Sequence, residues 1–293
     1  MDASRFYNRS LLRLILANAL IKPIWILGID RWVQNKVGLE AYGNYFSVWG
    51  LTLTAGFLLD LGLTTRVQRE VAGQSVQVER LSGLFTTKLA LLLFYFISIA
   101  VIGWLNPSNS TEMLWGVAVI QALQSLYIYF RSWVTASQHF GADVWFSISD
   151  KALLIPICTW WLMGNWEQLP IRLSVFIWMQ ILTLSFSILV VCFYLYRRGI
   201  SFIGQISFSI DDLKRSWPYA FIVLLMSAHA RLDGYWLTLW GKQGAYEAGR
   251  YASGFRLLDA ANMFGYLVAS FLLPYLSRQA SSQELVRQAI RNA

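Results

Sequence analysis

Charge is what this sequence has least of. Only 14% of its 293 residues are Asp, Glu, Lys or Arg, against about 25% in an ordinary soluble domain. A soluble fold of this length needs a charged surface, and this chain has too few charges to build one. Cysteine is nearly missing as well. Cys158 and Cys192 are the two present, each inside an apolar run, and they read as packing residues rather than a disulfide. The two histidines, His139 and His229, have no metal-ligand spacing around them, so no metal site is expected. No G-x-S-x-G, Walker A loop or H-E-x-x-H occurs, which leaves no enzyme signature, no ATP site and no expected cofactor.

What fills the chain instead is apolar and aromatic. Hydrophobic residues make up 56% and aromatics 16%, with 14 Trp and 14 Tyr; mean hydropathy is +0.47. Amphipathic rings in that number fit a chain that crosses membrane interfaces repeatedly. A net charge of +8 on one soluble face would point to nucleic acid. Here the cations fall mostly between apolar runs, as in cytoplasmic loops, and no nucleic-acid partner is expected. The sequence therefore reads as an all-α, polytopic membrane protein.

Crossing about 30 Å of hydrocarbon takes roughly 20 residues. Runs of that kind lie at 13–33, 43–65, 84–105, 113–136, 144–163, 171–196, 216–240 and 250–274, which predicts about eight transmembrane helices. Turn chemistry separates them, at Asn106-Pro107-Ser108-Asn109, Gly141-Ala142-Asp143, Met163-Gly164-Asn165 and Gly241-Lys242-Gln243-Gly244. The polar stretches 66–82, 197–215 and 275–293 read as membrane-surface helices or connectors. Basic residues gather in them (Arg66, Arg69, Arg80, Arg197, Arg198, Lys214), whereas the opposite side holds Arg31, Lys36, Arg172, Lys242 and Arg250. That asymmetry predicts a cytoplasmic N-terminus. Too few apolar residues precede Ala17-Asn18-Ala19 for a cleaved signal peptide, so the first segment reads as a retained helix.

One pattern recurs. Residues 38–47 read GLEAYGNYFS and residues 244–253 read GAYEAGRYAS, both fitting G-x4-G-x-Y-x-S at an offset of 206. Each copy opens an even-numbered span on the same side. The sequence reading is therefore a parallel repeat about an axis along the membrane normal, rather than a chance match among common Gly and Tyr. On that reading, residues 1–206 form a six-helix lobe. Residues 207–293 hold the first two helices of a second lobe, and about four more would complete it.

Gly38-Leu39-Glu40-Ala41-Tyr42-Gly43-Asn44-Tyr45, Leu58-Leu59-Asp60-Leu61-Gly62-Leu63 and Arg69-Glu70 resemble the polysaccharide (Wzx-type) flippases. These belong to the multidrug/oligosaccharidyl-lipid/polysaccharide exporter superfamily. Arg231-Leu232-Asp233, Gly249-Arg250-Tyr251, Pro274 and Ser277-Arg278 are similar to that family's seventh and eighth helices. The resemblance implies two six-helix lobes around a cavity that opens to alternate sides of a bacterial inner membrane. It implies an undecaprenyl-diphosphate-linked oligosaccharide as substrate, in surface-polysaccharide or O-antigen assembly alongside other membrane proteins of that process. Family members have twelve to fourteen helices, more than the eight read here.

Ionisable side chains inside spans are costly unless paired or hydrated, and so mark function. Arg31, Asp60, Arg131, Asp150 and Lys151 lie near span ends and fit snorkelling. Lys22 beside Pro23, Arg231 and Arg256 lie deeper and are the candidate substrate-binding cations, since guanidinium and ammonium groups replace the lost hydration of a diphosphate. Asp30, Asp233 and Asp259 are candidates for ion coupling; Arg256 and Asp259, at i and i+3, share a helix face and can pair. Trp160, Trp161, Trp166 and Trp178 read as an interface belt rather than a sugar platform. The competing functions are a multidrug or lipid II exporter of the same superfamily, a polytopic polysaccharide polymerase, and a membrane scaffold that transports nothing.

Overall fold

The computed structural model describes residues 3–64, 67–68, 78–105, 111–137, 139–164, 172–199 and 210–279. The described residues form helices and connecting turns, with no strand among them. The helices are α1 (Ala3–Pro23), α2 (Arg31–Val37), α3 (Leu39–Ala55), α4 (Val78–Leu105), α5 (Thr111–Ala136), α6 (Phe140–Met163), α7 (Leu173–Arg197), α8 (Ile210–Arg231), α9 (Asp233–Trp240) and α10 (Gly244–Gln279). Among the described residues, four stretches are long and apolar enough to cross a membrane: Leu12–Val37, Leu84–Leu105, Thr111–Ala136 and Leu173–Arg197. The chain is an all-α helical membrane protein.

The other four predicted spans also fall on helices, but each is interrupted, short or more polar. The span expected at 43–65 loses regular helix at Ala55, passes through a 3-10 turn over Gly56–Leu59, and reverses at Leu61 and Gly62, both with positive φ. The span expected at 216–240 is broken by a bend at Leu232, between α8 and α9. Phe140–Met163 carries Asp143, Asp150 and Lys151, and Gly244–Gln279 carries Glu247, Arg250, Arg256 and Asp259. The connectors expected at 66–82, 197–215 and 275–293 lie largely outside the described residues, as do residues 106–110 and Trp166.

The first span is a single column with a widened centre. Pro23 has no N–H to donate, so the ladder cannot continue unchanged, and Ile24–Asp30 is a π-helical segment joining α1 to α2. The column stops at Gly38, whose φ of 91° is open to glycine and whose N–H reaches the Gln34 carbonyl at 3.0 Å.

The packing is inverted relative to a soluble protein. Leu16, Leu20, Leu93, Leu182, Leu189 and Phe193 are exposed, while Asn18, Gln34, Lys88, Asp150, Gln180 and Arg256 are buried. Lipid accepts the leucines and rejects the polar groups, which must find partners inside. At the centre, Phe176 stacks on Trp25 at 5.9 Å and meets Tyr45 edge-on at the same distance.

α3 and α10 lie side by side in the same direction. Gly43 sits against Ala245 and Gly249, and three residues further on Phe46 packs on Tyr251 and Phe255. The two copies of the recurring motif therefore touch. The contact is reciprocal: a Cβ on Gly43 would overlap the Ala245 carbonyl oxygen, and a Cβ on Gly249 would overlap that of Leu39. Leu39 and Ala245 occupy equivalent places in the two copies, as do Gly43 and Gly249, so the same patch is used from both sides, as in a two-fold interface.

Candidate functional site: a charged network inside the helices

Arg256 ties α10 to the first column. Its Nε donates to Asp30 Oδ2 at 2.5 Å, one terminal nitrogen donates to the Gln34 side-chain oxygen, and the other donates to the Asp30 carbonyl at 3.3 Å. Tyr42 also donates to the Asp30 carboxylate, at 2.7 Å to Oδ2, and its ring lies 4.7 Å from the guanidinium. Gln34 in turn donates to the Gly249 carbonyl at 2.6 Å and accepts from Ser253 at 3.1 Å. Arg256 is 6% exposed. Every group in this knot has a partner, which is the condition under which burying charge is tolerable.

Arg231 makes a different pair. Two of its nitrogens meet the two carboxylate oxygens of Asp259 at 3.0 and 2.8 Å, with Phe255 stacked 4.9 Å away. The i, i+3 pairing expected between Arg256 and Asp259 is replaced by cross-helix pairs, Arg256 with Asp30 and Arg231 with Asp259. The reason is adjacency: α10 packs against both α3 and the first column, which brings the Asp30 carboxylate within reach of Arg256. Asp233 is exposed, and its Oδ2 accepts from Tyr251 at 2.6 Å.

A third group gathers around α6. Arg131 donates twice to Asp143 Oδ1, at 3.0 and 2.9 Å. Lys151 lies 3.3 Å from Asp150 and 4.9 Å from the Trp25 ring centre. So three of the residues read as interfacial anchors, Arg131, Asp150 and Lys151, stand in ion pairs inside the bundle. Lys22, half-buried on α1, has Arg131, Asp150 and Lys151 as the charged groups acting on it. Among the described residues it makes no hydrogen bond or ion pair. In this group three cations face two carboxylates, and both carboxylates are taken.

Lys88 escaped the sequence reading altogether. It is fully buried on α4 and donates to the Leu59 carbonyl at 2.7 Å and to Ser125 at 2.6 Å, with Asp60 at 3.6 Å. Leu59 ends the 3-10 turn after α3, so Lys88 supplies a donor where the helix ladder runs out. The legible signal was that Lys88 is the one charged residue between 84 and 105.

No group of three or more His, Cys, Asp or Glu side chains that could hold a metal ion occurs among the described residues. Cys158 and Cys192 are free thiols. Protein-family models, curated proteins and solved structures give no match to this chain.

The arrangement thus divides the candidate residues by what they have left to offer. Arg256 spends its guanidinium donors on Asp30 and Gln34, and Arg231 spends its two terminal nitrogens on Asp259. Lys22 keeps its ammonium free, in a span where an unsatisfied cation is expensive.

Proposed function

We propose that this chain transports a lipid-linked oligosaccharide across a bacterial inner membrane, with its N-terminus in the cytoplasm, by alternating access. The substrate on this reading is a polyprenyl diphosphate carrying a surface-polysaccharide repeat unit. The observation that carries the reading is Lys22: a half-buried ammonium in a membrane-crossing helix, acted on by two cations, Arg131 and Lys151, and one carboxylate, Asp150, which is already paired with Lys151. A site with one cation in excess attracts an anionic head group and repels the cationic drugs of a multidrug exporter. Ammonium binds phosphate as a point charge, firmly enough to admit the substrate and loosely enough to release it. Arg256 and Arg231 keep the helices in register on this account, and Asp30 and Asp259 belong to those pairs.

The test is reconstitution of the 293-residue chain in liposomes containing a fluorescent undecaprenyl-diphosphate saccharide, with added dithionite reporting which leaflet holds the label. A charge-assisted hydrogen bond contributes about 1.5–3 kcal/mol, so Lys22→Ala should slow exchange roughly ten- to a hundredfold. Lys22→Arg should retain most of it. Exchange no faster than in empty liposomes, or equal in wild type and a well-folded Lys22→Ala protein, would end this reading.

A further inference from the structure

We infer that the pocket between α9 and α10 binds a neutral saccharide ring. The inference rests on the transport reading and extends it to the glycan end of the substrate. The pocket has a volume of about 540 Å³ and is lined by Asp233, Trp236, Leu237, Trp240, Gly241 and Tyr251, within the roughly 300–1,000 Å³ of small-molecule sites. Asp233, Trp236, Leu237 and Trp240 stand at i, i+3, i+4 and i+7, so one face of the eight-residue helix α9 presents them together. Tyr251 closes the pocket from α10.

Geometry decides the class of ligand. Trp236 and Trp240 stack on each other, centroids 4.5 Å apart and planes 29° from parallel. Their facing sides cover each other, which leaves one outer indole face to a ligand, whereas an ammonium cage needs several ring faces turned towards the cation. A single exposed indole face matches the C–H face of a pyranose. Both indoles are accessible, Trp236 at 42% and Trp240 at 77% exposure. Beside the indoles, Asp233 uses Oδ2 to accept from Tyr251 at 2.6 Å, which fixes the carboxylate and leaves Oδ1 to accept from a sugar hydroxyl. The phenol oxygen, already donating, can accept from a second hydroxyl. Asp233 has no basic partner within ion-pair distance among the described residues, so the pocket carries a net negative charge. It would repel a diphosphate and suits an uncharged sugar. Gly241 has no room for a side chain on its protein side: a Cβ there would come within 2.6 Å of the Glu247 carboxylate and 2.8 Å of the Leu237 carbonyl oxygen. On the topology proposed above, this end of α9 faces away from the cytoplasm, where a glycan would emerge.

The experiment is saturation-transfer NMR on the purified chain in nanodiscs, using free maltose and N,N′-diacetylchitobiose, with tetramethylammonium as the cation probe. At least one disaccharide should receive saturation. That signal should fall fivefold or more in Asp233→Asn and in Trp240→Ala, persist in Trp240→Phe, and be unchanged in Trp178→Ala. Trp178 lines a separate cavity of about 350 Å³ between α5 and α7. If Trp240→Ala does not fold, Asp233→Asn and Trp240→Phe carry the same comparison. Saturation of neither disaccharide, equal signals in Asp233→Asn and wild type, or displacement of the sugar by tetramethylammonium overturns the inference. Free disaccharides need no lipid and no transport. Sugar binding without lipid exchange would therefore refute the transport reading alone, and lipid exchange without sugar binding would refute this inference alone.

Discussion

Gly43 and Gly249, 206 residues apart, face each other across the contact between α3 and α10, where an added Cβ on Gly43 would lie 2.7 Å from the Gly249 nitrogen. Each glycine also fits under a carbonyl in the first turn of the other helix, that of Ala245 or Leu39. The atoms in the way are backbone, which cannot swing aside as a side chain can. Gly43→Ala and Gly249→Ala should therefore each destabilise by about 1–3 kcal/mol, the usual cost of overpacking. Because both press on one contact, the double variant should cost less than the two singles added together. Gly254→Ala, with nothing within 4 Å, should be neutral or slightly stabilising in its helix. Thermal midpoints of the four variants in detergent check all of this.

Removing one partner of the buried Asp30–Arg256 pair should be far worse than removing both. Asp30→Ala leaves a guanidinium that is 6% exposed without its carboxylate, a change that costs about 3–5 kcal/mol. Arg256→Met leaves the carboxylate stranded to similar effect. The Asp30→Asn/Arg256→Met double should recover much of the loss, as shown by abundance in the membrane and by melting temperature. If Arg256→Met alone is as abundant as wild type but inactive, Arg256 acts on substrate and the structural assignment fails.

Arg231 and Asp259 are about a quarter exposed, 25% and 27%, so solvent screens their attraction. Arg231→Ala should reduce stability by less than Arg256→Met, and added salt should narrow the difference from wild type. Arg231→Lys should recover only part of the loss, because an ammonium cannot reproduce the two parallel bonds to Asp259. Melting curves at low and high ionic strength provide the comparison.

Lys88 makes a sharper case because its partner is backbone. Lys88→Met keeps most of the side-chain volume but strips the Leu59 carbonyl of its donor, at about 1–3 kcal/mol. Local opening should follow at the end of α3, so hydrogen exchange should quicken at residues 55–64 and stay unchanged in α7. Uniform exchange in both places would show that Lys88 does no local work.

The helices were legible because lipid imposes a length and a composition on anything that crosses it; all eight apolar runs fall on helices. Breaks within the runs were not. A twenty-residue average is blind to the 3-10 turn at Gly56–Leu59 and to the bend at Leu232, since both are failures of backbone hydrogen bonding inside apolar sequence. The charged residues were mostly visible, their partners were not. Arg256 and Asp259 share a helix face, yet Arg256 meets Asp30, because packing between distant segments decides which carboxylate arrives first. Lys88 has no partner nearby in sequence and was passed over for that reason. The motif at 38–47 and 244–253 was readable as a recurrence; that the copies rest on each other is a fact of the third dimension.

The Asp30–Arg256 pair also sets a timetable for making the protein. Its members are 226 residues apart, and ribosomes add about 5–20 residues per second, so roughly 10–45 s separate the synthesis of one from that of the other. Throughout that interval the first helix carries an acid whose final counter-charge does not exist. It must wait at the bilayer surface, or in the custody of the insertion machinery, and it docks only when α10 is threaded. Asp30 thus reaches the bilayer early in that interval and meets its partner only at its close.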